Sequence, residues 1–360
     1  VATGIYVKID GVWKLVTSGY CKVDGEIKRI KSAWIKIDGE YKKIPLEKRR
    51  IYVPEQASER CYCISDTVCD VGVSCQGAAE WYYTTGGLVD PVAVCVDKNG
   101  NSYWACANKV YKLDASGNLA SGWPYTGHTS TVLSVCIDAD GNVYSGDFGG
   151  VVKKLNSSGV AQWSRTLGAN YSVYGLCVDH SEGRLYVATG WGADIVYRFI
   201  TSNGNYTSVY YSPADVVSIA IDETPKLYIG DNAGHIKQID PYTGGVGWDT
   251  LVIGASILQV IVGHDGYGYA ATGGLGKIRK FILSTGAALW SYQGGGSAKG
   301  VGVDKGGYVY GSFQTPGSSV HNVVSKIDKN GDWIWSWKPY LIAQMYGLAV
   351  TPGYKAAGFS

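Results

Sequence analysis

Fifty glycines, 28 Tyr and 12 Trp against 5 Phe, and a unit of about 42 residues recurring along most of the chain predict an all-β protein. The architecture they imply is a seven-bladed β-propeller over residues 66–360, its ring closed by N-terminal plus C-terminal strands. A small β-hairpin-repeat module at 1–46 precedes it, joined by a linker at 47–65. Glycine is near twice its usual ~7% share, but there is no G-X-Y period and only 10 Pro, which excludes collagen and low-complexity disorder. Apolar residues make up 46% of the chain, enough for a core. The β-branched and aromatic ones lie between Gly, Asn, Asp and Ser clusters, the composition of strands broken by tight turns.

The hairpin module comes first. YVKIDGVWKLV, CKVDGEIKRI and WIKIDGEYKKI place Asp-Gly at 10–11, 24–25 and 38–39, a strict period of 14. Asp-Gly between alternating apolar residues favours a type I′ turn, whose twist matches that of the strands it joins. A six-strand meander of three hairpins is expected, with lysines on one face and Tyr6, Ile9, Trp13, Trp34, Ile37 and Tyr41 on the other. So thin a sheet has a marginal core, and its apolar face is expected to dock either on the chain's own propeller or, the favoured expectation, on a subunit or neighbouring protein. The first 50 residues carry a net +6 and the remaining 310 a net −4. Because the lysines alternate along strands they read as a solvated face, and no nucleic-acid partner is expected. These hairpins resemble short repeats of tail-fibre and other virion proteins of tailed bacteriophages. That resemblance implies a virion location, other virion proteins as partners of the module, and a multi-copy assembly.

The linker carries a charged run and Pro54, and beside it lie Cys61, Cys63, Cys69 and Cys75, spaced C-x-C-x5-C-x5-C. That is not a usual zinc spacing, so these four are weak metal candidates; a disulfide within the cluster or plain thiols both fit the pattern.

The propeller repeat is anchored on an apolar strand, AVCVD, SVCID and GLCVD in its first copies, at positions 95, 136, 177, 220, 261, 302 and 349. Cys95, Cys136 and Cys177 therefore read as core thiols. An Asp two residues on in five of the seven copies, a turn such as KNGN or ADGN, and a Tyr strand follow. Then come a Gly-rich turn, an alternating strand, and a strand with Trp four residues after a Gly (159/163, 244/248, 286/290, 331/335). The C-terminus supplies half of a seventh unit, so strands near 66–84 are expected to pair with strands near 345–359. The units VYSGDFGGVVKKLNSSGVAQW and LYIGDNAGHIKQIDPYTGGVGW resemble the repeat of PQQ-like, quinoprotein-type propellers. The quinone enzymes of that family have an adjacent Cys-Cys pair, and this chain has none. No cofactor is expected.

Five histidines, His128, His180, His235, His264 and His321, lie outside any metal or nucleophile motif, so no catalytic residue is expected. Binding has more behind it. Turns and blade connections offer Trp123, Tyr125, His128, Asp147, Tyr171, Asp194, Tyr211, Asp231, Trp337 and Tyr340 as ligand-binding candidates on one end of the propeller. The start lacks a charged stretch followed by an apolar segment, and no apolar run is long enough for a bilayer, so neither secretory export nor membrane insertion is expected. The function expected is a non-enzymatic virion component, tail-associated as fibre, tip or collar. Its hairpins anchor it, and its propeller meets a host-surface glycan or receptor. The alternative is a cellular scaffold or glycan-binding propeller.

Overall fold

Each repeat folds on itself because its turns are short and its second strand is apolar on both faces. The computed structural model describes residues 91–168, 171–179, 181–314 and 322–337, with the strands named below between residues 5 and 84 and at Ala349–Thr351. The first blade comprises Pro91–Val96, Ser102–Cys106 and Lys109–Leu113. The second comprises Val132–Ile137, Val143–Asp147, Val151–Leu155 and Ala161–Thr166. The third is Ser172–Asp179, Arg184–Gly190, Ile195–Ile200 and Tyr206–Tyr211. The fourth is Val216–Ile221, Leu227–Asp231, His235–Ile239 and Val246–Leu251. The fifth is Ile257–Val262, Tyr267–Thr272, Lys277–Ile282 and Ala288–Gln293. The sixth is Ser297–Val303, Val309–Gln314, Asn322–Ile327 and Trp333–Trp337.

Within every blade the strands pair antiparallel in chain order. First strands of successive blades lie against one another, which makes them the inner wall. Burial follows this plan: second strands such as Ser102–Cys106 and Leu227–Asp231 are buried at every residue, while outer strands alternate or face solvent. The first blade has three strands. Trp123 comes six residues after Gly117 instead of four, and only single bridges, Leu113 to Leu119 and Val110 to Tyr125, replace an outer ladder.

One latch recurs at the lower end, where first strand turns into second. Tyr103, Tyr144, Tyr186, Tyr228, Tyr269 and Tyr310 are all essentially inaccessible. The Tyr144 hydroxyl donates to Asp138 Oδ2 at 2.9 Å, and Tyr228, Tyr269 and Tyr310 donate likewise to Asp222, Asp265 and Asp304. The other oxygen of Asp138 receives the N–H groups of Asp140 and Asn142, so a single carboxyl fixes turn and core together. The third blade has one more residue between Asp179 and Tyr186, and there neither the Asp179 Oδ2 nor the Tyr186 hydroxyl has a hydrogen-bond partner among the described residues. A second latch joins neighbours: Trp163, Trp248 and Trp290 donate their indole N–H to Thr201, Leu283 and Lys329 carbonyls of the following blade.

Six blades, not the expected seven, are built from consecutive strands. The chain ends form instead a composite sheet in the order Ala349–Thr351, Lys48–Glu55, Arg60–Thr67, Ala78–Thr84. Its C-terminal strand pairs with Lys48–Glu55 rather than with residues 66–84, and lies beside the first strands of blades one and six. Much of the expected linker is therefore strand. Pro54 is compatible because it lies outside the three residues, Arg50, Ile51 and Tyr52, that pair with the C-terminal strand, so its missing N–H removes no bond on that side.

The Asp-Gly pairs sit between paired strands as expected, with Ile9 opposite Val12, Val23 opposite Glu26 and Ile37 opposite Glu40. The six-strand meander is corrected. Val12–Leu15, Ile5–Ile9, Ala33–Ile37 and Glu40–Ile44 make one sheet in that order, and Tyr20–Val23 with Glu26–Arg29 pairs separately. In the backbone register Tyr6 opposes Trp34, Lys8 opposes Trp13 and Ile9 opposes Val12; the docking face expected of these residues is a matter of side chains outside the described residues.

Candidate functional site

At the upper end the second strand turns into the third, and the outer strand crosses to the next blade. The inner strand bulges there in every blade, always at the same repeat position. Pairing skips one residue between Pro91 and Ala93, Val132 and Ser134, Val173 and Gly175, Val216 and Ser218, Ile257 and Gln259, and Ala298 and Gly300. The residues left over are Val92, Leu133, Tyr174, Val217, Leu258 and Lys299, all half-buried. A bulge turns its extra side chain out of the ladder, so the six make a ring around the upper mouth whose chemistry varies while its backbone does not.

Leu258 and Lys299 line an open depression of about 510 Å³ with Asn232, Ser256, Gly273 and Ser297. Burial lowers the pKa of the Lys299 ammonium. Glycine shapes the rim: Gly150 and Gly234 have φ of +81° and +95°, and a Cβ at Gly234 would strike the Ala255 and Val252 carbonyls.

A second cluster crosses blades two to four. Trp191 is 61% exposed with φ +59°, and its ring lies 5.9 Å from that of Phe148, itself 42% exposed. Asp215 Oδ1 accepts the Trp191 N–H at 2.6 Å, and Asp215 Oδ2 accepts the Asn232 amide at 2.7 Å. Burial first, then the neighbouring acid Asp215, pushes the pKa of Asp194 up to about 6. The Tyr174 hydroxyl is raised by burial and then by Asp215.

The expected site residues divide. Asp194, half-buried, and Tyr211, 68% exposed, lie on this end. Tyr125 and Tyr171 are half-buried, Tyr125 edge-on to the His128 ring. Trp123, His128, Asp147 and Asp231 are corrected to interior supports. Trp123 packs edge-on against Tyr103. His128 Nδ1 meets Asp147 Oδ2 and Nε2 meets Ser145 Oγ, both at 2.8 Å and all buried. Asp231 binds the buried Lys237 ammonium at 2.8 Å and receives the His235 N–H. Such acids close the upper turns, as the Thr189 and Thr272 hydroxyls do in neighbouring blades. Tyr340, Cys69 and Cys75 lie outside the described residues, as do the side chains of Trp337, of the six docking residues and of Cys61 and Cys63. Phe148, Trp191, Asp215 and the bulge ring escaped the sequence reading. The ring had a signal, since each member stands three residues before a repeat anchor.

Among the described residues no three His, Cys, Asp or Glu side chains gather as a metal site, and no helix is long and apolar enough to cross a membrane.

Sheets in consecutive blades around an inner wall define a β-propeller. No protein-family model and no curated protein sequence matches the chain. Solved structures do. A streptogramin B lyase is 15% identical over 72% of this chain and 86% of its own, with a TM-score of 0.61. The Cps50 (Swd1) propeller domain of Myceliophteria thermophila is 14% identical over 72% and 89%, with a TM-score of 0.60. An inactive histidine-to-alanine virginiamycin B lyase of Staphylococcus aureus, solved with quinupristin, is 15% identical over 71% and 85%, with a TM-score of 0.59. At these identities the likeness carries the fold alone.

Proposed function

We propose that this chain is a non-enzymatic binding component of a bacteriophage virion, tail-associated, whose hairpin module holds it to the particle and whose propeller presents its upper end outward. The observation that carries the reading is the division of labour in the fold. Three Asp-Gly hairpins complete their pairing among themselves, in sheets separate from every blade. The upper end meanwhile exposes Trp191, Phe148 and Tyr211 without any blade packed over them. The hairpins' likeness to tail-fibre repeats supplies the virion. On this reading the composite sheet of both chain ends seals the ring between blades six and one, so that anchor and display are mechanically joined. The test is proteomics and immunogold labelling of purified particles from the host culture. The protein should band with particles and label the tail; its absence from banded particles sinks the reading.

A second reading is a small-molecule lyase, favoured by one observation. A half-buried ammonium with a lowered pKa, Lys299, lines the depression, on a fold shared with streptogramin lyases. Incubation with quinupristin or virginiamycin B, followed by chromatography for the ring-opened product, decides it; unchanged antibiotic removes this reading.

A further inference from the structure

In the cluster of Phe148, Trp191, Asp194 and Asp215, only Asp215 has an evident structural task, holding the Trp191 backbone and the Asn232 amide, while the two rings face solvent. Trp191 holds a left-handed φ that bulky residues rarely adopt, and Asp215 fixes it there with the indole outward. The Phe148 and Trp191 rings meet at 58°, as two walls of a corner. Asp215, which holds the Trp191 backbone, has Asp194 as a neighbouring acid, and among the described residues Asp194 Oδ1 is buried with no hydrogen-bond partner. The ion pairs among the described residues include neither acid. Two neighbouring acids outside those ion pairs, one of them bonded to the backbone that carries an exposed π-face, leave a position where a positive group gains from both.

We infer that the Phe148–Trp191 corner and the Asp194–Asp215 pair bind an organic cation, the ammonium or guanidinium head of a lysine or arginine side chain on a partner protein. The tilt of the rings suits a compact head better than a flat sugar, which stacks on one face. A divalent metal is a poor occupant, since two carboxyls are far short of the six to eight oxygens calcium takes and no third acid joins them among the described residues. The inference rests on the upper end being a binding face, and not on where the particle carries the protein.

The full-length protein is labelled with ¹⁵N, and the Trp191 indole resonance is assigned by its loss in Trp191→Phe. It is then titrated with acetyl-lysine methylamide, acetyl-arginine methylamide, tetramethylammonium, methyl glucoside and calcium chloride. Cations should shift the Trp191 resonance saturably, with half-saturation near or below about 10 mM, as expected for a single side-chain head. Asp194→Asn should weaken that binding about tenfold, and a control melt should show it folded. Trp191→Ala, followed on a neighbouring backbone amide, should weaken it likewise. Saturation by methyl glucoside at equal concentration, saturation by calcium, or no shift with any cation at about 50 mM overturns the inference. If only tetramethylammonium binds, the partner is a free or quaternary ammonium rather than a protein side chain, and the side-chain assignment falls. Particle association and this titration are read independently, so either proposal can fail alone.

Discussion

The two ends of the propeller are built from the same strands and obey different rules. At the lower end an Asp, a tight turn and a buried Tyr recur, and indole N–H groups tie one blade to the next. At the upper end the backbone also recurs, down to the position of the bulge, but the side chains placed there run from Val92 through Tyr174 to Lys299. Repeated side chains mark what every blade needs in order to fold. A repeated backbone with unlike side chains marks a surface free to do something else.

That contrast can be broken first where the upper end is not free. Beneath its rim Asp231 and Lys237 form a buried pair, and Asp231→Ala leaves an ammonium without a counter-charge. The change should cost about 3–5 kcal/mol in denaturant unfolding, and the double change Asp231→Ala/Lys237→Met should recover most of it. A loss below about 1 kcal/mol would mean that Lys237 finds water and that the interior does not reach this turn.

At the lower end the Trp latch predicts the next effect. Trp248 packs on Tyr228 and Phe281 and donates to the Leu283 carbonyl. Trp248→Ala should cost about 3 kcal/mol, read as a shift of the unfolding midpoint. The Tyr latch gives a sharper internal control. Tyr144→Phe removes a bonded hydroxyl and should cost about 1 kcal/mol, whereas Tyr186→Phe removes an unpartnered one and should be neutral or stabilising. Equal losses at the two positions would show that the extra residue in blade three does not break the latch.

How much of this was legible follows from the same contrast. Asp138, Tyr144 and Trp163 announced themselves because each repeats at a fixed distance, so strands, turns and blade order could be read along the chain. Blade number could not, because pairing of Ala349–Thr351 with Lys48–Glu55 depends on which segments meet, and the charged KRRIYVPE gives little sign of a strand. The bulge ring was hidden in plain repeats, since a bulge belongs to the register of two strands and not to either sequence. Asp147, Asp231 and Asp194 look alike in sequence, as acids at turns. Only the partners separate them: a turn N–H and a buried base for the first two, another acid for the third.

The smallest expected effect tests that last distinction. Asp194 keeps its proton to about 6, well above the usual carboxyl value, because it is partly buried beside Asp215. A folded-state pKa above the unfolded one means the native protein holds the extra proton between about pH 4 and 6. Its contribution to stability is therefore present below the unfolded pKa and is lost as pH rises through 6. Asp194→Asn keeps an N–H donor for Asp215 and cannot ionise. Wild type and variant should melt together near pH 4, with Tyr174 still protonated throughout. Above pH 6.5 the variant should gain about 0.5–1 kcal/mol, a figure reduced from the full shift because the pair is partly solvated. Parallel melting curves across the range would place Asp194 in water, away from its neighbour. A gain confined to neutral pH would show that the upper end keeps an acid pair at the expense of stability, the reverse of what each Asp–Tyr latch does below.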